Sequence, residues 1–232
     1  FKNAGETVKS VLNHNNEIGM CQTISELKKT TKYLIVEMGM RGIGEIELLS
    51  KYAEPDIGVI VNVGNAHIGR LGSLLNIAKA KFEIAKYIKN NGILISHDSD
   101  LIKKINDNKH KTIYFSLKDV IIKEMTDSYS VFNYKNKDYK LNISGEHNIQ
   151  NALGVIEAGL FYGLSYELIK KGLLEFKPIE KRWEIEKLNG FNVINDCYNA
   201  NPVSMKASLD VLATALGRKV AILGDMGELG TD

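Results

Sequence analysis

Tyr33–Ile43 (YLIVEMGMRGI) and Val61–Ile68 (VNVGNAHI) are built alike: an apolar run of strand length, then a polar or ionisable residue, then glycine. In an open α/β sheet, ligands bind outside the carboxyl ends of the strands, so Glu37 and His67 are expected to face one crevice. A carboxylate and an imidazole meeting there can ligate a divalent metal, which points to phosphate chemistry. Either residue alone reads more simply as a polar strand end that turns the chain. The pair, with Lys81 just downstream, argues for a site.

The surrounding pattern agrees. Strand-length apolar runs at Tyr33–Met38, Ile57–Val63, Gly92–Ser96 and Thr112–Phe115 alternate with helical periodicity at Glu45–Tyr52 and Ser73–Lys89. Alternation of this kind predicts βαβ crossovers, and continuous runs such as Ile57–Val61 fit strands covered on both faces. From Val120 to Ile143 the segments become short, alternating and rich in Tyr and Lys, the signature of an antiparallel subsheet. Helices are expected at His147–Tyr162, at Ser165–Glu175 with Ser165 as N-cap, and from Pro202 to about Ala215. Strands are expected around Trp183–Leu188, Phe191–Asn195 and Lys219–Leu223. The fold class is therefore α/β: a mostly parallel sheet with flanking helices plus a small antiparallel subsheet.

Composition narrows the function. The 232 residues are 44% hydrophobic with formal net charge +2, and no cluster of Lys and Arg interleaved with aromatics suggests nucleic acid. Cys21 and Cys197 lie far apart without metal-ligand spacing, which fits a reduced, cytoplasmic chain. No apolar run approaches the roughly 18 residues needed to span a bilayer. The chain starts without methionine and stops just after a strand-like run, so it reads as a piece of a longer protein. No G-x-x-x-x-G-K-[ST] phosphate loop is present, and Gly39–Gly44 has the wrong spacing for a dinucleotide fingerprint.

Other polar residues keep two readings. Lys81 sits on an amphipathic helix, where a lysine is ordinarily a solvated face residue. Asn148 and Asn151 are one helical turn apart and suit either a base edge or helix capping, capping being the simpler reading for Asn148. Asp196 ends a strand and suits ribose hydroxyls or a turn. Arg182 suits a phosphate or open surface.

Read in order, the strings NNEIG (Asn15–Gly19), EMGM (Glu37–Met40), NVGNAH (Asn62–His67), AKAK (Ala78–Lys81), HNIQNA (His147–Ala152), DCYNANP (Asp196–Pro202) and LGDMGELG (Leu223–Gly230) resemble the ATP-dependent Mur ligases of peptidoglycan synthesis. NNEIG, EMGM, YNANP and GDM-x-ELG favour the branch that adds D-alanyl-D-alanine to UDP-N-acetylmuramoyl-tripeptide. The siblings are ligases that add diaminopimelate or lysine, and folylpolyglutamate synthases. The resemblance places residues 1–216 in the central ATPase domain and 217–232 at the start of a C-terminal Rossmann-like domain. Lys181, where the family usually has glycine, and Ser99, where an aspartate is expected, are local departures.

The resemblance implies ATP and magnesium as cofactors, with Glu37, His67 and Lys81 on the metal side and Lys81 able to carry a carbamate. It implies Asn151 at adenine with Asn148 beside it, Arg182 at the phosphates and Asp196 at the ribose. Asn15, Asn16, Tyr198, Asn199 and Asn201 would approach the substrates, and the protein is expected to be a monomer. Without a phosphate loop, residues 1–232 alone are expected to bind ATP weakly and turn over none; a non-catalytic fragment is the competing reading.

Overall fold

The fold is taken from a computed structural model that describes residues 1–177 and 183–227. Its centre is a three-stranded parallel ladder, β3 (Ile57–Ile60), β4 (Ile93–His97) and β5 (Lys111–Phe115), in that order. Strand β4 is buried on both faces because it lies between two helical layers. Ile93 and Ile95 point into a core with α6 (Glu146–Phe161), where Phe115, Ile149, Leu153 and Ile156 pack. Leu94, on the opposite face, meets Ala78 of α4 (Leu74–Phe82) and Ile102 of α5 (Asp100–Ile105). This period-2 division of one strand between two cores is what an unbroken apolar run encodes.

A second parallel pair, β1 (Thr7–Lys9) with β2 (Tyr33–Ile35), stands apart as its own ladder. Helix α1 (Glu17–Ser25) connects its strands, and α2 (Glu45–Ala53) follows it. Strand β2 ends at Ile35 rather than Met38, since beyond it the backbone bonds to the 10–15 segment instead of a neighbouring strand. The helix expected over Ser73–Lys89 changes to a 3-10 turn at Glu83–Tyr87.

The Tyr/Lys-rich region forms the expected antiparallel sheet of β6 (Val120–Met125), β7 (Ser130–Tyr134) and β8 (Lys137–Leu141). Lys135 and Asn136 both have positive φ, as a two-residue type I′ turn demands. Alternate residues of β7, Ser130, Phe132 and Tyr134, face inward toward α6 and α7 (Tyr166–Leu174). There the carboxylate of Glu157, only 1% exposed, accepts from Tyr134 Oη at 2.7 Å and from Lys135 Nζ at 2.8 Å. A buried charge needs such donors, and together they rivet the subsheet to α6.

A hairpin of β9 (Glu184–Leu188) and β10 (Phe191–Asn195), turned at Asn189-Gly190, precedes α8 (Pro202–Thr214). The strand expected at Lys219–Leu223 is not formed. A strand exists only as part of a ladder, and these residues have no pairing partner among the described residues; Ile222 is 96% exposed. No described helix is long and apolar enough to cross a membrane.

Replacing Tyr134 with phenylalanine removes one donor from the buried Glu157 carboxylate. The expected loss is about 2 kcal/mol in a urea unfolding experiment. A loss indistinguishable from zero would mean that the Tyr134 hydroxyl contributes nothing to holding the subsheet on α6.

Candidate functional site

The carboxyl ends of β2 and β3 carry the residues singled out from the sequence. Glu37 lies two positions beyond β2. Its N–H donates to Ser10 Oγ at 3.0 Å, and its Oε1 accepts from Asn15 Nδ2 at 3.1 Å. The Asn15 carbonyl in turn accepts from Gly39 N–H at 2.7 Å. A Cβ on Gly39 would sit 2.7 Å from Asn15 Cγ, so any larger residue there would displace the Asn15 amide. Asn15 therefore acts as a clamp on the Glu37 segment. Asn16 instead caps α1, accepting from Gly19 N–H at 2.9 Å.

His67 heads the short helix α3 (Ile68–Leu71) with φ of 66°, a left-handed conformation uncommon for a side-chain-bearing residue. Such backbone outliers persist where the surroundings over-determine them, and they concentrate at functional sites. Lys81 projects from the last turn of α4 toward the end of β3. Its Nζ donates to the carbonyl and to Oδ1 of Asn62, at 3.0 and 3.1 Å. Burial disfavours the ammonium and holds the Lys81 pKa below the ordinary lysine value.

One buried cluster joins these segments: Met40, Ile46, Leu71, Ile77 and Ala80, with Met38, Val63 and Ile68 packed on it. The chain neighbours of all three candidates, Met38, Ile68 and Ala80, thus share one core. Among the described residues, no three of His, Cys, Asp and Glu group closely enough to hold a metal ion. Of Glu37, His67 and Lys81, the Glu37 carboxylate is the hard oxygen donor that magnesium takes, beside waters and phosphate oxygens.

The second group lies at the start of α6. Asn148 Nδ2 donates to the Ser144 carbonyl at 2.7 Å and lies 3.0 Å from His147 Nε2, which ties the helix to the preceding loop. Asn148 and Asn151 both line an apolar cavity of about 340 Å³ bounded by Phe1, Val155 and Leu168. Asp196, just past β10, accepts from Trp183 N–H at 3.1 Å and from Ser208 Oγ at 2.5 Å. Its charge also acts on His147, opposing the desolvation that lowers the imidazole pKa. The end of β10 and the first turn of α6 are therefore neighbours. Arg182 lies outside the described residues.

Asn201 caps α8 through a capping box with Ser204, and Asn199 Oδ1 accepts from Ala200 N–H at 2.9 Å. Tyr198 is exposed beside them. Asp196, Cys197 and Asn199 line a broad cleft of about 1440 Å³ shared with Trp183 and Met226. Ser10 and Asn62 escaped the sequence reading. Asn62 was within reach of the strand-end rule, since it follows β3 by two residues; Ser10 gave no signal, because its contact depends on the pairing of β1 with β2.

A Mur ligase middle domain model matches residues 1–159, and a Mur ligase, glutamate ligase domain model matches residues 181–232. The UDP-N-acetylmuramoyl-tripeptide–D-alanyl-D-alanine ligase of Bacillus subtilis is 38% identical over 228 residues, 94% of this chain and 50% of that protein. The crystal structure of MurF from Acinetobacter baumannii superposes with a TM-score of 0.93 at 32% identity, covering 99% of this chain and 53% of that one. MurF ligase from Thermotoga maritima in complex with ADP gives a TM-score of 0.87 at 26% identity, over 99% of this chain and 56% of that one. The chain spans about half the length of these relatives.

The lowered pKa of Lys81 fixes a pH dependence. Between that value and the unfolded value of 10.5, the unfolded chain binds more protons, so stability rises with pH in this window. As the pH rises from neutrality toward 10.5, the urea midpoint of the wild type should gain on that of Lys81→Met. A relative fall over that interval would contradict the burial of the amine.

Proposed function

This chain belongs to the Mur ligase family, and from that premise we propose that it forms the ATPase core of a cytoplasmic ligase joining D-alanyl-D-alanine to UDP-N-acetylmuramoyl-tripeptide. The observation that carries the reading is the shared cluster beneath Glu37, His67 and Lys81 at the carboxyl ends of β2 and β3. The likeness to D-alanyl-D-alanine ligases across nearly the whole chain supports the acceptor.

In the proposed reaction, the terminal carboxylate of the tripeptide attacks the γ-phosphorus of ATP, and ADP leaves. The amine of D-alanyl-D-alanine then attacks the resulting acyl phosphate. A tetrahedral intermediate collapses with loss of phosphate, and the amine proton passes to solvent. A polyphosphate, a carboxylate and a developing oxyanion crowd together in this sequence, so charge must be offset by fixed dipoles and cations. Bound magnesium supplies positive charge for that purpose, and Glu37, His67 and Lys81 are the residues that would hold it.

Lys81 fits this role as a carbamate. Its pKa is held down by burial, which raises the share of neutral amine, the form that adds to carbon dioxide. The ammonium first gives up one proton; a new N–C bond then forms as the amine loses a second, and a cation has become an anionic oxygen ligand. Asn151 and Asn148 would meet the adenine, Asp196 the ribose and Arg182 the phosphates. Asn15, Tyr198 and Asn199 would border the peptide substrates, while Asn16 and Asn201 shape that border through their caps. We take the working enzyme to be a monomer.

The test is ATP-dependent formation of the muramoyl-pentapeptide by the full-length protein, with residues 1–232 in parallel. The full-length protein should ligate and the isolated chain should not, since it lacks a phosphate loop. Glu37→Gln should lower kcat by about 100-fold or more. Ligation of lysine or diaminopimelate, or of glutamate to a folate, would reassign the acceptor. An unaffected Glu37→Gln would remove Glu37 from the site.

A further inference from the structure

Glu83 is a buried carboxylate outside the machinery described so far. It lies two residues after Lys81, where α4 passes into the 3-10 turn, and is 4% exposed. Its side chain turns toward the N-terminus of α2, the helix that follows the Glu37 loop. Oε1 accepts from Gly44 N–H at 2.7 Å and Oε2 from Glu47 N–H at 3.1 Å.

These two donors are the ones a capping box satisfies: the N–H of the N-cap residue and the N–H three positions into the helix. Gly44 is the N-cap of α2, with φ of 93°, and has no side chain to offer. Glu47, at the third helical position, would close the box in an ordinary helix. Here its carboxylate instead pairs with Lys86 at 2.5 Å. A single side chain from another segment thus makes both bonds of the box, and its charge faces the positive end of the helix dipole.

We propose that Glu83 is a positioning residue that fixes the Glu37 loop against the Lys81 helix. The proposal rests on the assignment of Glu37 and Lys81 to the magnesium side of the site. The loop is held at both ends. Ser10 and Asn15 anchor Glu37 and Gly39 at its start, and Glu83 anchors Gly44 at its close. Lys81 is fixed to Asn62 on the same short stretch of chain that carries Glu83. Loss of the Gly44 and Glu47 bonds therefore loosens one candidate ligand segment against the other, with both ligands, the shared apolar cluster and the bond from Ser50 Oγ to the Ile84 carbonyl still in place.

Glu83→Gln tests this. An amide keeps the shape of the side chain but sets an NH2 against one of the two N–H donors and discards the charge. In the full-length protein, Mn2+ binding in the presence of ADP, followed by electron paramagnetic resonance, should weaken about 10-fold. The magnesium concentration for half-maximal phosphate release should rise in parallel, while KM for the amine substrate stays within about two-fold. Ser165→Ala is the control. It removes an ordinary cap, the bond from Leu168 N–H to Ser165 Oγ on α7, and should lower Tm without moving the metal response.

If Glu83→Gln lowers Tm but leaves Mn2+ binding unchanged, Glu83 is a stabilising cap only and the proposal fails. If Glu83→Gln does not fold, Glu83→Asp keeps the charge on a shorter arm; weaker Mn2+ binding supports the proposal and wild-type binding overturns it. A wild-type protein that binds no Mn2+ with ADP would overturn the magnesium assignment itself, and this role of Glu83 with it.

Discussion

The packing of Met40, Ile46, Leu71, Ile77 and Ala80 into one buried cluster sets three distant segments against one another. Each segment presents a chemically capable residue at the rim of that cluster: Glu37, His67 and Lys81. Apolar burial is non-directional, so the cluster alone sets proximity and leaves geometry open. Geometry comes from the polar clamps around it, Asn15 on Glu37 and Asn62 on Lys81. The division of labour is physical: the core gathers and the hydrogen bonds aim.

The same logic organises the candidate nucleotide side. Helix α6 lies across the parallel sheet because Ile149, Leu153 and Ile156 pack on Ile93, Ile95 and Phe115. That burial brings its first turn, with Asn148, to the edge where β10 ends at Asp196. Glu157 on the same helix anchors the antiparallel subsheet, so one helix connects the sheet, the subsheet and the candidate adenine-side residues.

Much of this was legible in the sequence, for reasons that can be named. Strand β4 was legible because Ile93, Leu94 and Ile95, divided between two cores, form an unbroken apolar run. The Asn189-Gly190 turn and the Asn201-Pro202 helix start depend on local backbone chemistry, which the sequence states directly. Lys219–Leu223 misled because an apolar run records the propensity for a strand but not the neighbour that would pair with it. Candidate ligand types were visible at strand ends, where Asn62 also stands, whereas Ser10 and Glu83 were not. Their partners lie on other segments, and only the folded chain brings these together.

The metal and phosphate site proposed for Glu37, His67 and Lys81 stands at the carboxyl ends of β2 and β3. Anomalous diffraction from crystals of the full-length protein grown with Mn2+ and ADP tests it most directly. Manganese density is expected bonded to the Glu37 carboxylate, on the side of His67 and Lys81, adjoining the nucleotide phosphates. Density elsewhere, with the Glu37 carboxylate still bonded to Asn15 Nδ2, would contradict that assignment.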